Sequence, residues 1–213
     1  MKAYHKKVVT RNKRKDFFAV LASGVFIGAV CFDILPEVTH ELSIVSALGF
    51  VLLGFVLWLI FKVAADHFSR SGLAIVSSLA FWFHSFLEGA VTALSFAAGL
   101  ATGLIVALGM LLHLVPEFFA ITAVLKGEGV SAKRSVGVDI GGIAVLFASF
   151  AVMSLVIHGF SADVLDALAA ISGGAFLYIG AASFLKRPKT KVNTGGLLLG
   201  LLAVAVWTAV FKI

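Results

Sequence analysis

Three pairs of ligand-type side chains, each four residues apart, lie inside otherwise apolar sequence: Asp33/Glu37, His84/Glu88 and His113/Glu117. Four residues is just over one helical turn, so on a helix each pair projects from one face. Hydrocarbon offers neither group a partner, and a charge at the bilayer centre is disfavoured by about 2.5–3.5 kcal/mol on insertion scales. Such side chains must face a bundle interior, water or a bound cation. Imidazole and carboxylate together suit a first-row divalent ion such as zinc. The chemistry indicated first is metal binding inside a membrane.

Two of the pairs share one form, a ligand followed by two apolar residues, Pro and Glu: Asp33-Ile-Leu-Pro36-Glu37 and His113-Leu-Val-Pro116-Glu117. Proline has no backbone donor and crowds the carbonyl four residues earlier, so Pro116 is expected to kink its helix and free the carbonyls of Leu112 and His113. His84 and Glu88, with Ser85 between, repeat the His-x-x-x-Glu spacing one segment earlier. Two adjacent antiparallel helices then bring two His and two Glu to one point, enough for a tetrahedral zinc-type sphere. The competing reading is a His/Glu hydrogen-bonded pair that glues helices together. For Asp33 and Glu37 it is an interfacial helix end with solvated carboxylates. Asp139, among Gly137, Gly141 and Gly142, is the candidate fifth ligand or exit-path residue; close helix approach explains the glycines but not the carboxylate.

The remaining ligand types read more plainly. Cys31 is the single cysteine, which excludes an internal disulfide, and its apolar run suggests an inert buried thiol. His67 beside Asp66, and His5 in a basic tail, read as solvated residues, because a lone His lacks the partners of a metal shell. His40 and His158 read as polar caps at helix ends.

Positioning these residues takes a membrane bundle. With 61% hydrophobic and 13% charged residues and a mean hydropathy of +1.08, the chain of 213 residues has too little polar surface for a soluble domain, whose charged share would be about 25%. Apolar segments of spanning length run from Phe17 to Leu35, Leu42 to Phe61, Gly72 to Ala98, Leu100 to Leu125, Val136 to Ile157, Val164 to Leu185 and Gly195 to Phe211. The fold class expected is all-α, a polytopic bundle of about seven transmembrane helices over residues 16–213, preceded by a basic tail at 1–15. The stretch from Ala97 to Gly103 is the turn between the third and fourth spans. The first span exceeds a signal-peptide core in length and lacks an A-x-A-like exit, so it is expected to be retained.

Charge placement fits this division. Alternating seven spans puts sixteen of the seventeen Lys and Arg on one side, with Lys212 alone opposite. Cytoplasmic loops concentrate Lys and Arg, so the expectation is a multi-pass cell-membrane protein with a cytoplasmic N-terminus and an external C-terminus. Topology and attraction to anionic lipid explain the basic balance without nucleic acid, since no basic patch accompanies a soluble module.

At the ligand motifs the chain resembles the ZIP family of divalent-metal transporters. The family's two binuclear-site helices run approximately His-Asn-x-x-Glu-Gly and His-x-x-Pro-Glu; here stand His84-Ser-Phe-Leu-Glu88-Gly89 and His113-Leu-Val-Pro116-Glu117. Asp33-Ile-Leu-Pro-Glu37 is similar to the family's Leu-Pro-Glu helix end, Ser135-Val-Gly-Val-Asp139 to the acidic helix that follows, and Gly173-Gly-Ala-Phe-Leu-Tyr178-Ile to its penultimate helix. The motifs fall in the family's order over nearly the whole chain. The resemblance implies a family member that begins at the second of eight helices, with its N-terminus inside. Ser85, Leu114 and Ser183 stand where relatives carry Asn, a polar or acidic residue, and Glu, which implies one complete metal site instead of two.

Together these readings point to a transporter that moves zinc or another divalent transition metal into the cytoplasm, not to an enzyme. Asp33 and Glu37 attract the cation, His84, Glu88, His113 and Glu117 replace its water, and Asp139 receives it. The expected partners are the metal ion and the lipid bilayer, with a homodimer allowed. The alternatives are a seven-helix intramembrane zinc hydrolase, for which no His-Glu-x-x-His is present, and a metal-binding receptor without transport.

Overall fold

The computed structural model describes residues 13–68, 71–156 and 162–211. Among them eight α-helices follow one another: α1 (Lys13–Ala29), α2 (Leu35–Val38), α3 (Ile44–Phe68), α4 (Gly72–Ala98), α5 (Leu100–Gly127), α6 (Ala132–Val156), α7 (Ala162–Leu185) and α8 (Lys191–Phe211). A π-helical turn, Val30–Ile34, joins α1 to α2, so that Lys13–Val38 forms one span. Seven helical segments are long and apolar enough to cross a membrane. The fold is the polytopic helical bundle expected, and each expected span falls on one of these segments. Of the basic tail, Lys13, Arg14 and Lys15 belong to the first turn of α1, and residues 1–12, with His5, lie outside the described residues; so do Lys212 and His158.

Helices with apolar residues on every side can sort themselves only by shape, because lipid tails are as apolar as Leu. Here the sorting is done by glycines that let backbones touch. On α1 and α8, Gly24 faces the carbonyl of Leu197 and Gly200 faces the carbonyl of Leu21. Gly54 of α3 meets the Ile171 carbonyl of α7, and Gly174 of α7 meets the Val51 carbonyl in return. At both seams a Cβ would collide with backbone, so any larger residue must push the helices apart. Gly89 of α4 lies in the same way against Leu146 of α6, where Gly141 and Gly142 receive the rings of Trp82 and Phe81. Gly137, expected to serve close approach as well, has open space around it.

The buried core fills the space between these pairs, with Phe26, Phe81, Phe176, Ile121, Leu125 and Ile179 among its largest fully enclosed side chains. Apolar residues face outward on α3 (Leu52, Leu53, Val56, Ile60) and on α8 (Leu198, Leu199, Leu202, Val206), as surfaces solvated by lipid do.

Three local features bear on the site. α4 and α5 are separated by one residue, Gly99, whose φ of 158° and ψ of 153° lie in a region essentially reserved for glycine. The expected turn between Ala97 and Gly103 is thus this single residue. α5 continues through Pro116 as one helix. The irregularity comes instead just before Pro36, where the Leu35 N–H bonds the Val30 carbonyl five residues back. Pro36 cannot donate to the Phe32 carbonyl and its ring crowds that group, so the ladder widens by one residue ahead of it.

Candidate metal centre

Two helices supply the centre. His84 and Glu88 project one turn apart from the middle of α4, and Glu117 comes from α5, which returns beside α4 after the Gly99 turn. His84 Nε2 lies 3.2 Å from Glu117 Oε1 and 3.8 Å from Glu88 Oε1. One ligand atom from each residue falls within 4.8 Å of the other two, and all three side chains are buried. Two carboxylates and an imidazole converging inside a membrane bundle are mutually repulsive or costly unless a positive charge joins them. Such a trio offers three of the four ligands of a zinc-type sphere.

α7 braces the imidazole from the opposite side. His84 Nδ1 is 3.0 Å from Ser172 Oγ, and the Phe176 ring, one turn further along α7, packs against the imidazole with centroids 4.5 Å apart. Phe26 of α1 backs Phe176 in turn, at 4.9 Å between centroids. The arrangement turns Nδ1 toward a hydroxyl and Nε2 toward the carboxylates. This matches the way ligating histidines are oriented through their second nitrogen. Sequence reasoning missed both bracing residues: a Ser in a small-residue run, Ile171-Ser-Gly-Gly, reads as helix packing, and only the α4/α7 contact reveals its partner.

The other expected ligands distribute as follows. His113 lies on α5 one turn before Glu117, and its side chain is outside the described residues. Asp139 stands apart from the centre: its Oδ2 accepts a hydrogen bond from Thr122 Oγ1 at 2.8 Å, and that contact ties α6 to the half of α5 beyond Glu117. Asp33, within the π turn at Val30–Ile34, is buried, while Glu37, in α2 beyond Pro36, is exposed. Cys31, expected to be buried, is exposed. In a span the apolar sequence around it says only that it lies among apolar neighbours, not which face of the helix it takes.

His67 and Asp66 behave as expected: His67 is exposed with its ring against the Val63 carbonyl, and Asp66 pairs with Lys62 one turn back. Ser85 and Ser183 are wholly buried, Ser85 beside the centre on α4 and Ser183 eleven residues beyond Ser172 on α7, where its hydroxyl faces the Ala19 carbonyl of α1.

No protein-family model matches this chain, and no curated protein matches it.

Proposed function

We propose that the chain is a divalent-metal transporter whose cargo, zinc or a similar transition-metal ion, crosses the membrane through the His84/Glu88/Glu117 centre. The observation that carries this reading is the burial of those three side chains, from two helices, within ligand distance of one another inside a seven-span bundle. A purely structural polar contact needs one donor and one acceptor; two carboxylates on one imidazole supply an excess of negative charge that a cation balances. The resemblance of these motifs to those of ZIP transporters supports the same reading, with His113 as the fourth ligand.

In this scheme Asp33 and Glu37 draw the cation from outside, the centre exchanges its water for imidazole and carboxylate, and Asp139 with Thr122 receives it on the way to the cytoplasm. Charge asymmetry in the sequence supports a cytoplasmic N-terminus. Ion passage takes a rearrangement in which the helices bearing the ligands shift against the rest.

Uptake of zinc, iron(II), manganese and cadmium into liposomes holding the pure protein tests the proposal. Saturable uptake of at least one ion, lost in Glu117→Ala, is the expected result. Bound metal with no flux would assign the centre to a receptor, and bound metal with lipid or peptide cleavage to a hydrolase.

A further inference from the structure

Arg187 was counted with the loop charges in sequence, yet it is among the most buried charged residues described, 5% exposed just beyond the last turn of α7. Its Nη1 donates to the carbonyl and to the hydroxyl of Ser183, the latter at 2.7 Å. Nε lies 3.8 Å from Asp16 Oδ1 at the start of α1, and Nη2 lies 3.6 Å from Glu128 Oε1 just past α5. Glu128 also accepts from Lys186 Nζ at 2.9 Å. Gly127 makes room for the group, since a Cβ there would collide with Nη2 and with Ala19 of α1.

One guanidinium thus joins the ends of three spans, of which α5 carries Glu117 of the metal centre and α7 braces His84. Glu117 lies ten residues up α5 from Gly127, and Ser172 and Phe176 lie up α7. About 15–20 Å of helix separates centre and cluster at 1.5 Å per residue. Ile121, Val124, Leu125 and Ile179 in that interval are essentially inaccessible. Between the centre and this end of the bundle stand first these apolar side chains and then the Arg187 cluster, in which the guanidinium occupies the two carboxylates that a dication would otherwise meet. A surface anchor needs neither the burial nor three helices. Replacing all members of a buried ion cluster by neutral groups of similar volume often costs little stability, so a role beyond folding is separable by experiment.

Resting on the transport reading, we propose that Arg187 is the latch of an inner gate. Its contacts with Asp16 and Glu128 hold α1, α5 and α7 together while the ion is bound. Their release opens the end of the bundle and leaves two carboxylates to meet the departing cation.

The test uses thiol accessibility, which does not depend on flux, so its failure is distinct from failure of the transport reading. In a Cys31→Ser chain, Ser23→Cys places a reporter on α1, wholly buried between the cluster and the centre, with the Ser23 carbonyl against Gly180 of α7. In liposomes, a membrane-impermeant maleimide applied at the end bearing Arg187 labels this reporter slowly. Arg187→Gln raises the rate about tenfold or more by shifting the population toward the open state, with no change from the opposite side. Should Arg187→Gln reduce membrane abundance, the neutral triple Asp16→Asn/Glu128→Gln/Arg187→Gln gives the same acceleration without an uncompensated charge. Unchanged labelling in a well-inserted variant, equal acceleration from both sides, or loss of insertion in the triple as well would overturn the latch.

Discussion

His84 Nδ1, on α4, lies 3.0 Å from the Ser172 hydroxyl, on α7. A proton held on Nδ1 and donated to Ser172 leaves the Nε2 lone pair facing Glu117 and Glu88, the orientation a metal ligand needs. Ser172→Ala therefore weakens cation binding about 10- to 100-fold while leaving membrane insertion unchanged. Competition against a chelating dye on the purified protein checks this, and Ser172→Thr, which keeps the hydroxyl, is expected to retain most of the affinity.

His84→Ala, Glu88→Ala, His113→Ala and Glu117→Ala are each expected to abolish transport at matched membrane abundance. Insertion depends on the apolar helices, and removing a polar group from a span eases it. Radioactive or fluorescent uptake, normalised to protein in the membrane, decides; normal uptake in the Glu117 variant would move the site elsewhere.

Cation affinity falls as pH falls. A ligating imidazole must be neutral and a ligating carboxylate ionised, so binding displaces protons and acid competes with metal. The loss is roughly tenfold per pH unit for each proton displaced once the free ligands are protonated. Isothermal titration in buffers of different ionisation enthalpy reads the proton release directly.

One tightly held ion per chain is expected. On the proposed reading His113 joins His84, Glu88 and Glu117 to complete one sphere, whereas Ser85, Leu114 and Ser183 give a neighbouring ion no exclusive anionic ligand, and two dications a few ångströms apart repel strongly in a low-dielectric site. Native mass spectrometry gives the stoichiometry for wild type and for Glu88→Ala, which should hold none tightly. Two tightly held ions in the wild type would make Asp139, now bonded to Thr122, a ligand in another conformation.

The α3/α7 seam provides a prediction about stability. Gly54→Leu drives a side chain into the Ile171 backbone and costs at least the 1–3 kcal/mol typical of overpacking, about the same order as Gly174→Leu. Gly137→Ala, placed in open space, is neutral. Thermal unfolding in detergent, followed by tryptophan fluorescence, separates the two classes.

Span number and order were legible because they rest on length and apolarity alone, and the α4/α5 pairing because a short turn forces consecutive helices together. His84 with Glu88 followed from the 3.6-residue period. Glu117 followed from the same reasoning applied one helix later. Partners supplied by α7 were not legible: nothing local in sequence states which face of α7 meets α4, a choice made by Gly54 and Gly174 docking α7 against α3. Arg187 was misread because a count of loop charges carries no information on burial. The π turn at Val30–Ile34 was not legible either, because spacing rules assume an unbroken helix.

That last irregularity changes how positions in the first span must be numbered against other proteins. Five residues, Val30–Ile34, occupy a turn that four ordinarily fill, so the segment before it and the segment after it follow different phases of the same helix. A relative that lacks the surplus residue would align with a one-position gap inside an otherwise featureless apolar run, where comparison of hydrophobicity cannot see it. Deleting Phe32 would perform that edit here, restoring a regular helix while leaving the segments on either side of the turn in nearly the same relative orientation.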